Sequence, residues 1–315
     1  MFFAFYSIHQ SYLQSEPVMV QANTLRNLSV SRAMRRQVIC LDQHKTIDHG
    51  INTIIKHKIN ALLVVGSQLQ PIGVVSKTDI MGAYYAGLPI DSPLEYIMVS
   101  PPLFCRSTDS LETALEQMRS NKVYRLYVTD GHSEDPVGTL AYPDIVGLLY
   151  QYCHQCEYSH LNRKKQDNES DPTHRFKARE LMTTGVKSIP MHETLSTVMD
   201  ALAAYRFGAM LITNESGLPA GVISKTDLAL TYKHGVTPLV TAETVMSTPI
   251  HTCDADSLLE EAIKTMILAD IHRLFVHDGN KNQIVGVLSL SDAARGRSGS
   301  CHGCISSRIK VEDQD

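Results

Sequence analysis

Several things this sequence lacks each close off a class of function. It has no surplus of positive charge. Its 29 Lys and Arg face 33 Asp and Glu, for a net charge of −4 at pH 7. A general nucleic-acid binder is usually basic, so no nucleic-acid partner is expected. No apolar run approaches the roughly 20 residues of a membrane span, and no membrane partner is expected. There is no Ser-His-Asp spacing, no glycine-rich phosphate loop and no HExxH helix pair, so the chain reads as a non-enzyme. The opening MFFAFYSIHQ has no basic start and no clear small-residue cleavage site, which argues against a signal peptide. It reads either as a docking segment or as an over-extended start ahead of a true initiator at Met19. The seven cysteines are an odd number without an export signal. They point to a reducing cytoplasm, where closely spaced thiols suggest metal or redox roles rather than structural disulfides.

What the chain does have is a repeat inside a repeat. Met34 and Met182 are 182 − 34 = 148 apart. So are Gly73 and Gly221, Asp79 and Asp227, Met98 and Met246, Arg125 and Arg273, and Asp144 and Asp292, with no gap needed from Met34 to Cys156 against Met182 to Cys304. Each half divides again, since 98 − 34 = 64 and 144 − 79 = 65. Four units of about 60 residues result. In each, a Met precedes a short extended segment (Val38 to Leu41 in the first). An amphipathic helix follows, with Ile47, Ile51, Ile54 and Ile55 on one face of unit one and Leu195, Val198, Met199 and Leu202 on one face of unit three. Ser257 with Glu260 reads as a capping box for the helix of unit four. Two strands and a second helix complete a β-α-β-β-α order, and the fold class expected is α+β. The domains expected are an N-terminal segment 1–28, a first pair 29–152 (units 29–90 and 93–152), a polar linker 153–176, a second pair 177–298 (units 177–238 and 241–298) and a tail 299–315.

The sharpest motif closes each unit: GVVSKTD (73–79), GTLAYPD (138–144), GVISKTD (221–227) and GVLSLSD (286–292). A strand runs into a Ser, and an Asp follows three places on, where a helix begins. That places a hydroxyl and a carboxylate side by side at a helix N-terminus. Two readings stand: a helix cap, worth roughly 1 kcal/mol, or a grip on the two hydroxyls of a ribose. Capping alone accepts Asn or Thr, yet the Asp stands in all four copies.

The unit length, the β-α-β-β-α order, the terminal G-h-h-S-x-x-D (h, apolar), the Arg-Leu-h-Val-x-Asp stretch before it (125–130, 273–278 as Arg-Leu-Phe-Val-His-Asp) and the tandem pairing together resemble the CBS domain, named for cystathionine β-synthase. The resemblance covers about Ser29 to Tyr152 and Lys177 to Ser298. It implies four CBS domains in two pseudo-symmetric pairs that associate into a flat disc, with clefts for AMP, ADP, ATP or S-adenosylmethionine. Carried onto this chain, the ribose grip is Ser76 and Asp79, Ser224 and Asp227, and Ser289 and Asp292. Unit two keeps Asp144 but has Ala141 where the Ser belongs, so that cleft loses a hydrogen-bond partner. Arg125, Arg273 and His272 are the phosphate candidates, with Tyr124 in place of a His in the first half. Lys77-Thr78 and Lys225-Thr226, inside the repeated SKTD, are also placed to meet a phosphate, or serve only solubility. Arg suits phosphate through its planar fork, Lys as a point charge.

The function expected is an adenosine-nucleotide sensor with no catalytic domain of its own, acting on a protein partner or through self-assembly as a homo-oligomer. The alternative is a metal- or thiol-redox sensor on the same scaffold. It rests on Cys153-His154-Gln155-Cys156 and Cys301-His302-Gly303-Cys304, again 301 − 153 = 148 apart. Two CxxC pairs supply four thiolates, the tetrahedral set for Zn or an iron–sulfur cluster. A redox reading without metal is weakened because a helix C-terminus has the wrong dipole sign for a thiolate. Four thiols that never meet is the third reading. Cys105 and Cys253 read as small core residues.

Overall fold

The computed structural model describes residues 28–132, 135–155 and 176–295. Each unit is a small sheet faced by helices. Unit one is β1 (Cys40–Asp42), α2 (Ile47–Lys56), β2 (Ala61–Val65), β3 (Pro71–Ser76) and α3 (Lys77–Tyr85), with the short α1 (Val30–Ala33) ahead of it. Unit two is β4 (Phe104–Arg106), α4 (Leu111–Ser120), β5 (Arg125–Thr129), β6 (Gly138–Ala141) and α5 (Tyr142–Gln155). Ahead of unit three come α6 (Ala178–Leu181) and β7 (Thr183–Thr184). The unit itself is β8 (Ser188–Pro190), α7 (Leu195–Ala204), β9 (Ala209–Thr213), β10 (Pro219–Ser224) and α8 (Lys225–Lys233). Unit four is β11 (Thr252–Asp254), α9 (Leu259–Leu268), β12 (Arg273–His277), β13 (Ile284–Ser289) and α10 (Leu290–Arg295). In every unit the first strand runs parallel to the second, and the second pairs antiparallel with the third. The expected β-α-β-β-α order is what the chain folds into.

The middle strands read as continuous apolar runs, such as ALLVV in β2 and AMLIT in β9, because both faces are covered; all five residues of each are buried. The amphipathic helices turn the predicted stripe inward, with Ile47, Ile51 and Ile54 fully buried. Thr46, Ser110 and Thr194 cap three of these helices through a side-chain oxygen. The fourth departs from expectation. Instead of a Ser257–Glu260 capping box, α9 has Leu258 at its N-cap with no side-chain cap. The N-cap keeps the repeat register, 258 − 110 = 148, so it falls on a Leu where unit two has Ser110, and the same outside contact is made in both units: Leu259 N–H donates to Phe176 O at 2.9 Å as Leu111 N–H does to Leu28 O at 2.8 Å.

The cores cross the halves. One apolar cluster joins units one and three, from Ile51, Ile54 and Leu62 to Val198, Met210 and Ile223. A second joins units two and four, from Leu115, Met118 and Leu126 to Ile263, Met266 and Leu274. A smaller one, Leu63, Val65 and Tyr127, lies between the sheets of units one and two. The unit-one/unit-three contact is helix against helix, α3 on α8.

Candidate functional site

The four motifs sit where a third strand ends and a helix begins, so each Asp lies in the first turn of its helix. In unit one, Ser76 Oγ accepts from Thr78 N–H and Asp79 N–H at 3.2 and 3.4 Å. Asp79 Oδ2 accepts from Ser76 N–H and Ser76 Oγ–H, both at 2.7 Å. Unit three repeats this box, with Asp227 Oδ2 taking Ser224 N–H at 2.7 Å and Oγ–H at 2.6 Å. Unit four repeats it at Ser289 and Asp292, at 2.9 and 2.5 Å. In unit two only the backbone half remains, Ala141 N–H to Asp144 Oδ2 at 2.9 Å. The capping role is thus fully realised in units one, three and four, and in all four units it occupies one oxygen of the carboxylate. The other oxygen, Oδ1, differs from unit to unit: it meets Arg35 Nε at 2.6 Å in unit two, Ser247 Oγ at 3.0 Å in unit three and Arg295 at 3.0 Å in unit four.

Units one and three bring their motifs face to face. Lys225 Nζ donates to Thr78 Oγ1 at 2.9 Å, across the two halves. Burial lowers the Lys77 ammonium pKa, against an opposing pull from Asp227. Burial brings Lys225 down to about 8, with Arg273 adding to the effect and Asp79 opposing it. Each motif carboxylate is therefore felt by the lysine of the other half. The two arginines at the start of β5 and β12 border the same region. Burial lowers the pKa of both, and Arg125 also acts on Lys77. Arg125 Nε is buried and, among the described residues, has no hydrogen-bond partner. His272 is driven down to about 4, by burial first and then by Lys77 and Arg273, so it stands neutral at pH 7. Its Nδ1 lies 3.1 Å from Asn60 Nδ2, and its ring stacks on Tyr124 at 6.5 Å between centroids. Burial likewise raises the Asp79 pKa, with its Ser76 bonds and Lys225 opposing.

The structure thus gathers Lys77, Lys225, Arg125, Arg273 and His272 toward one region between the motif helices of units one and three, with Thr78 beside it. Four half-buried cations in one neighbourhood hold one another's charge at a cost, which an anion would relieve. The N-termini of α3 and α8 add the positive ends of two helix dipoles.

The profile of the CBS domain matches residues 30–86, 94–150, 178–233 and 242–299. The chain belongs to the CBS domain family. Among relatives, it is 30% identical over 102 residues to the uncharacterized protein MK0525 of Methanopyrus kandleri, a match covering 32% of this chain and 52% of that one. It thus spans about half the length of that relative. Among solved structures it resembles protein MJ1225 of Methanocaldococcus jannaschii, described as a proposed archaeal homolog of g-AMPK, at TM-score 0.70 and 17% identity over 85% of this chain and 99% of that one. It also resembles an uncharacterized conserved protein of Pyrococcus horikoshii at TM-score 0.55 and 17% identity, over 84% of this chain and 97% of that one. At these identities the two structures speak to the fold, a four-CBS α+β arrangement.

The sequence reading missed the residue that follows each repeated Met. Met98, Met246, Met182 and Met34 each lie against the motif glycine of the neighbouring CBS unit in their half: Gly73, Gly221, Gly286 and Gly138. The available signal was a Met 39 or 40 residues ahead of the motif glycine in every unit (73 − 34 and 221 − 182 are 39, 138 − 98 and 286 − 246 are 40).

Of the cysteines proposed for metal, Cys153 belongs to α5 but its side chain lies outside the described residues, as do Cys156, Cys301 and Cys304 altogether. Among the described residues no cluster of His, Cys, Asp and Glu is arranged to hold a metal ion. Cys105 is buried in β4 and Cys253 half-buried in β11, and burial pushes their thiols up to about 12 and about 11, away from reactivity. Among the described residues no helix is long and apolar enough to cross a membrane.

Proposed function

We propose that this CBS protein is a regulatory sensor of adenosine compounds, AMP, ADP, ATP or S-adenosylmethionine, acting on a protein partner or through its own assembly rather than by catalysis. The observation that carries this reading is the set of half-buried cations around the α3 and α8 N-termini. Asp79 and Asp227 would hold the ribose hydroxyls through their outer oxygens, while Lys77, Lys225, Arg125 and Arg273 would meet the phosphates. His272, neutral and stacked on Tyr124, would serve as a hydrogen-bonding wall rather than a charge. Because each motif Asp is paired electrostatically with the other half's lysine, a phosphorylated nucleoside in either cleft would join the halves. A disc of four CBS units is the geometry in which such joining changes the outer surface a partner would read. Phosphate-bearing compounds should bind more tightly than S-adenosylmethionine, whose sulfonium offers the cations nothing.

The test is a thermal melt with each of the four compounds. A ligand at one hundred times its dissociation constant stabilises by about 2.7 kcal/mol, which for a chain of this size is a rise of several degrees. A double Asp79→Asn/Asp227→Asn variant should lose that rise. A flat response of the parent to all four compounds would reject the reading.

A further inference from the structure

The four CBS clefts are not equivalent, and in units one to three the residue after the repeated Met sets the difference. In all four units that residue lies beside the third strand of the neighbouring unit, opposite the position five residues before the motif Asp. Arg35 pairs with Thr139, Val99 with Val74, Ser247 with Val222 and Thr183 with Val287. Main-chain bonds fix the first of these tightly. Arg35 N–H donates to Thr139 O at 2.9 Å, and Thr139 N–H to Arg35 O at 2.8 Å. Gly138 leaves room for that approach, since a Cβ there would stand 2.6 Å from Arg35 O. The backbone therefore delivers a different side chain to an equivalent place in each cleft. The arginine reaches Asp144 Oδ1 at 2.6 Å. The serine reaches Asp227 Oδ1 at 3.0 Å. Val99 has nothing to donate, and among the described residues no hydrogen bond reaches Asp79 Oδ1. Thr183 leaves Asp292 to Arg295 of its own helix.

We infer that Arg35 is a built-in occupant that closes the unit-two cleft to ribose, and that the position after Met sets how open the motif carboxylate is in units one, two and three, whereas Arg295 of its own helix holds that oxygen in unit four. The inference rests on the nucleotide reading above. The Asp144 side chain is 6% exposed, against 59% for Arg35, so the carboxylate lies underneath the guanidinium. A ribose hydroxyl and a guanidinium both make charge-assisted bonds to a carboxylate, but only the guanidinium also neutralises its charge, so a ribose would replace an ion pair with a bond from a neutral donor. Ala141 removes the hydroxyl that a motif Ser would contribute. A nucleoside entering unit two would have to displace Arg35 while its main chain remains bonded to β6. In unit one the same place is apolar and the carboxylate oxygen is open.

The experiment is a pair of reciprocal substitutions in the full chain, read as the number of nucleotides bound, by calorimetry and native mass spectrometry with AMP, ADP, ATP and S-adenosylmethionine as probes. Arg35→Val with Ala141→Ser should add one bound nucleotide to the parent's number. Val99→Arg should remove one, as should Asp79→Asn. Circular dichroism checks that each variant is folded, and if Val99→Arg does not fold the Arg35→Val/Ala141→Ser variant decides alone. An unchanged number in the opened variant overturns the inference. So does an unchanged number in folded Val99→Arg while Asp79→Asn loses one, a result that leaves the nucleotide reading standing. Failure of the parent to bind any probe overturns both.

Discussion

Tyr84 and Tyr232 stack with ring centroids 5.1 Å apart and planes 20° from parallel, and they are the same residue of two repeats, 232 − 84 = 148. Their hydroxyls make reciprocal bonds. Tyr84 donates to Val236 O at 2.7 Å, and Tyr232 donates to Leu88 O at 2.6 Å, where 236 − 88 is again 148. Tyr124 and His272 form a second stacked pair with the same offset. Contacts between a residue and its own repeat equivalent occur beside a twofold axis, so the expected pseudo-twofold runs past these two pairs. This is an isologous interface inside one chain.

Because both large cores cross the halves, cutting the chain between 156 and 175 should not separate them. A protease recognition sequence placed there and cleaved should leave one particle of unchanged size by gel filtration and native mass spectrometry. Release of monomeric halves on cleavage would contradict the shared cores.

The tyrosine bonds make a graded version of the same test. Tyr84→Phe and Tyr232→Phe keep the stack and each remove one hydrogen bond, so each should cost about 1 kcal/mol in urea unfolding. Tyr84→Ala also empties buried volume and should cost about 3–5 kcal/mol, in line with other large-to-small aromatic changes. A Tyr84→Phe variant as stable as the parent would mean the hydroxyl bond to Val236 O contributes nothing.

Much of this was legible in the sequence for a physical reason. Strand and helix alternation, the 148-residue offset and the SxxD box are local patterns, and local hydrogen bonds enforce them. The crossing of the cores was not legible. The α3 residues Ile80, Met81, Ala83 and Tyr84 are all buried, because that helix lies between its own sheet and α8. A helix covered on two sides shows no single stripe, so periodicity cannot reveal its second neighbour. Arg35 was hidden for another reason: its role comes from a bridge to a strand 104 residues later (139 − 35), which no local pattern encodes.

Gly208 offers a test of the arginine geometry that leaves the motif untouched. A Cβ at this position would run into the guanidinium of Arg273. Position 60, its repeat equivalent, is an Asn that bonds His272 instead. Gly208→Ala should therefore push Arg273 aside with a modest loss of stability, about 1–3 kcal/mol for an overpacked site. Under the proposed function it should also weaken a phosphorylated nucleoside while sparing adenosine itself. Calorimetry with AMP and adenosine checks this, and equal weakening of the two would detach Arg273 from phosphate.

The same cluster sets an expected pH dependence. Lys225 stands at about 8 in the folded protein, below the ordinary lysine value of 10.5. Between those values the unfolded chain holds a proton that the folded chain has released, so this lysine makes stability rise with pH across that window. His272, at about 4 against 6.5, acts alike at lower pH, and its contribution is lost as pH falls from 6.5 toward 4. A phosphate bound beside Lys225 should have the opposite effect on the lysine, raising its pKa. Binding of AMP near pH 8.5 should then take up a proton, and affinity should fall as pH rises beyond 8. Calorimetry in two buffers of different ionisation heat measures the uptake directly. Lys225→Met should abolish most of it while keeping the aliphatic stem packed. Proton release on binding, or uptake unchanged in Lys225→Met, would place the phosphate away from this lysine.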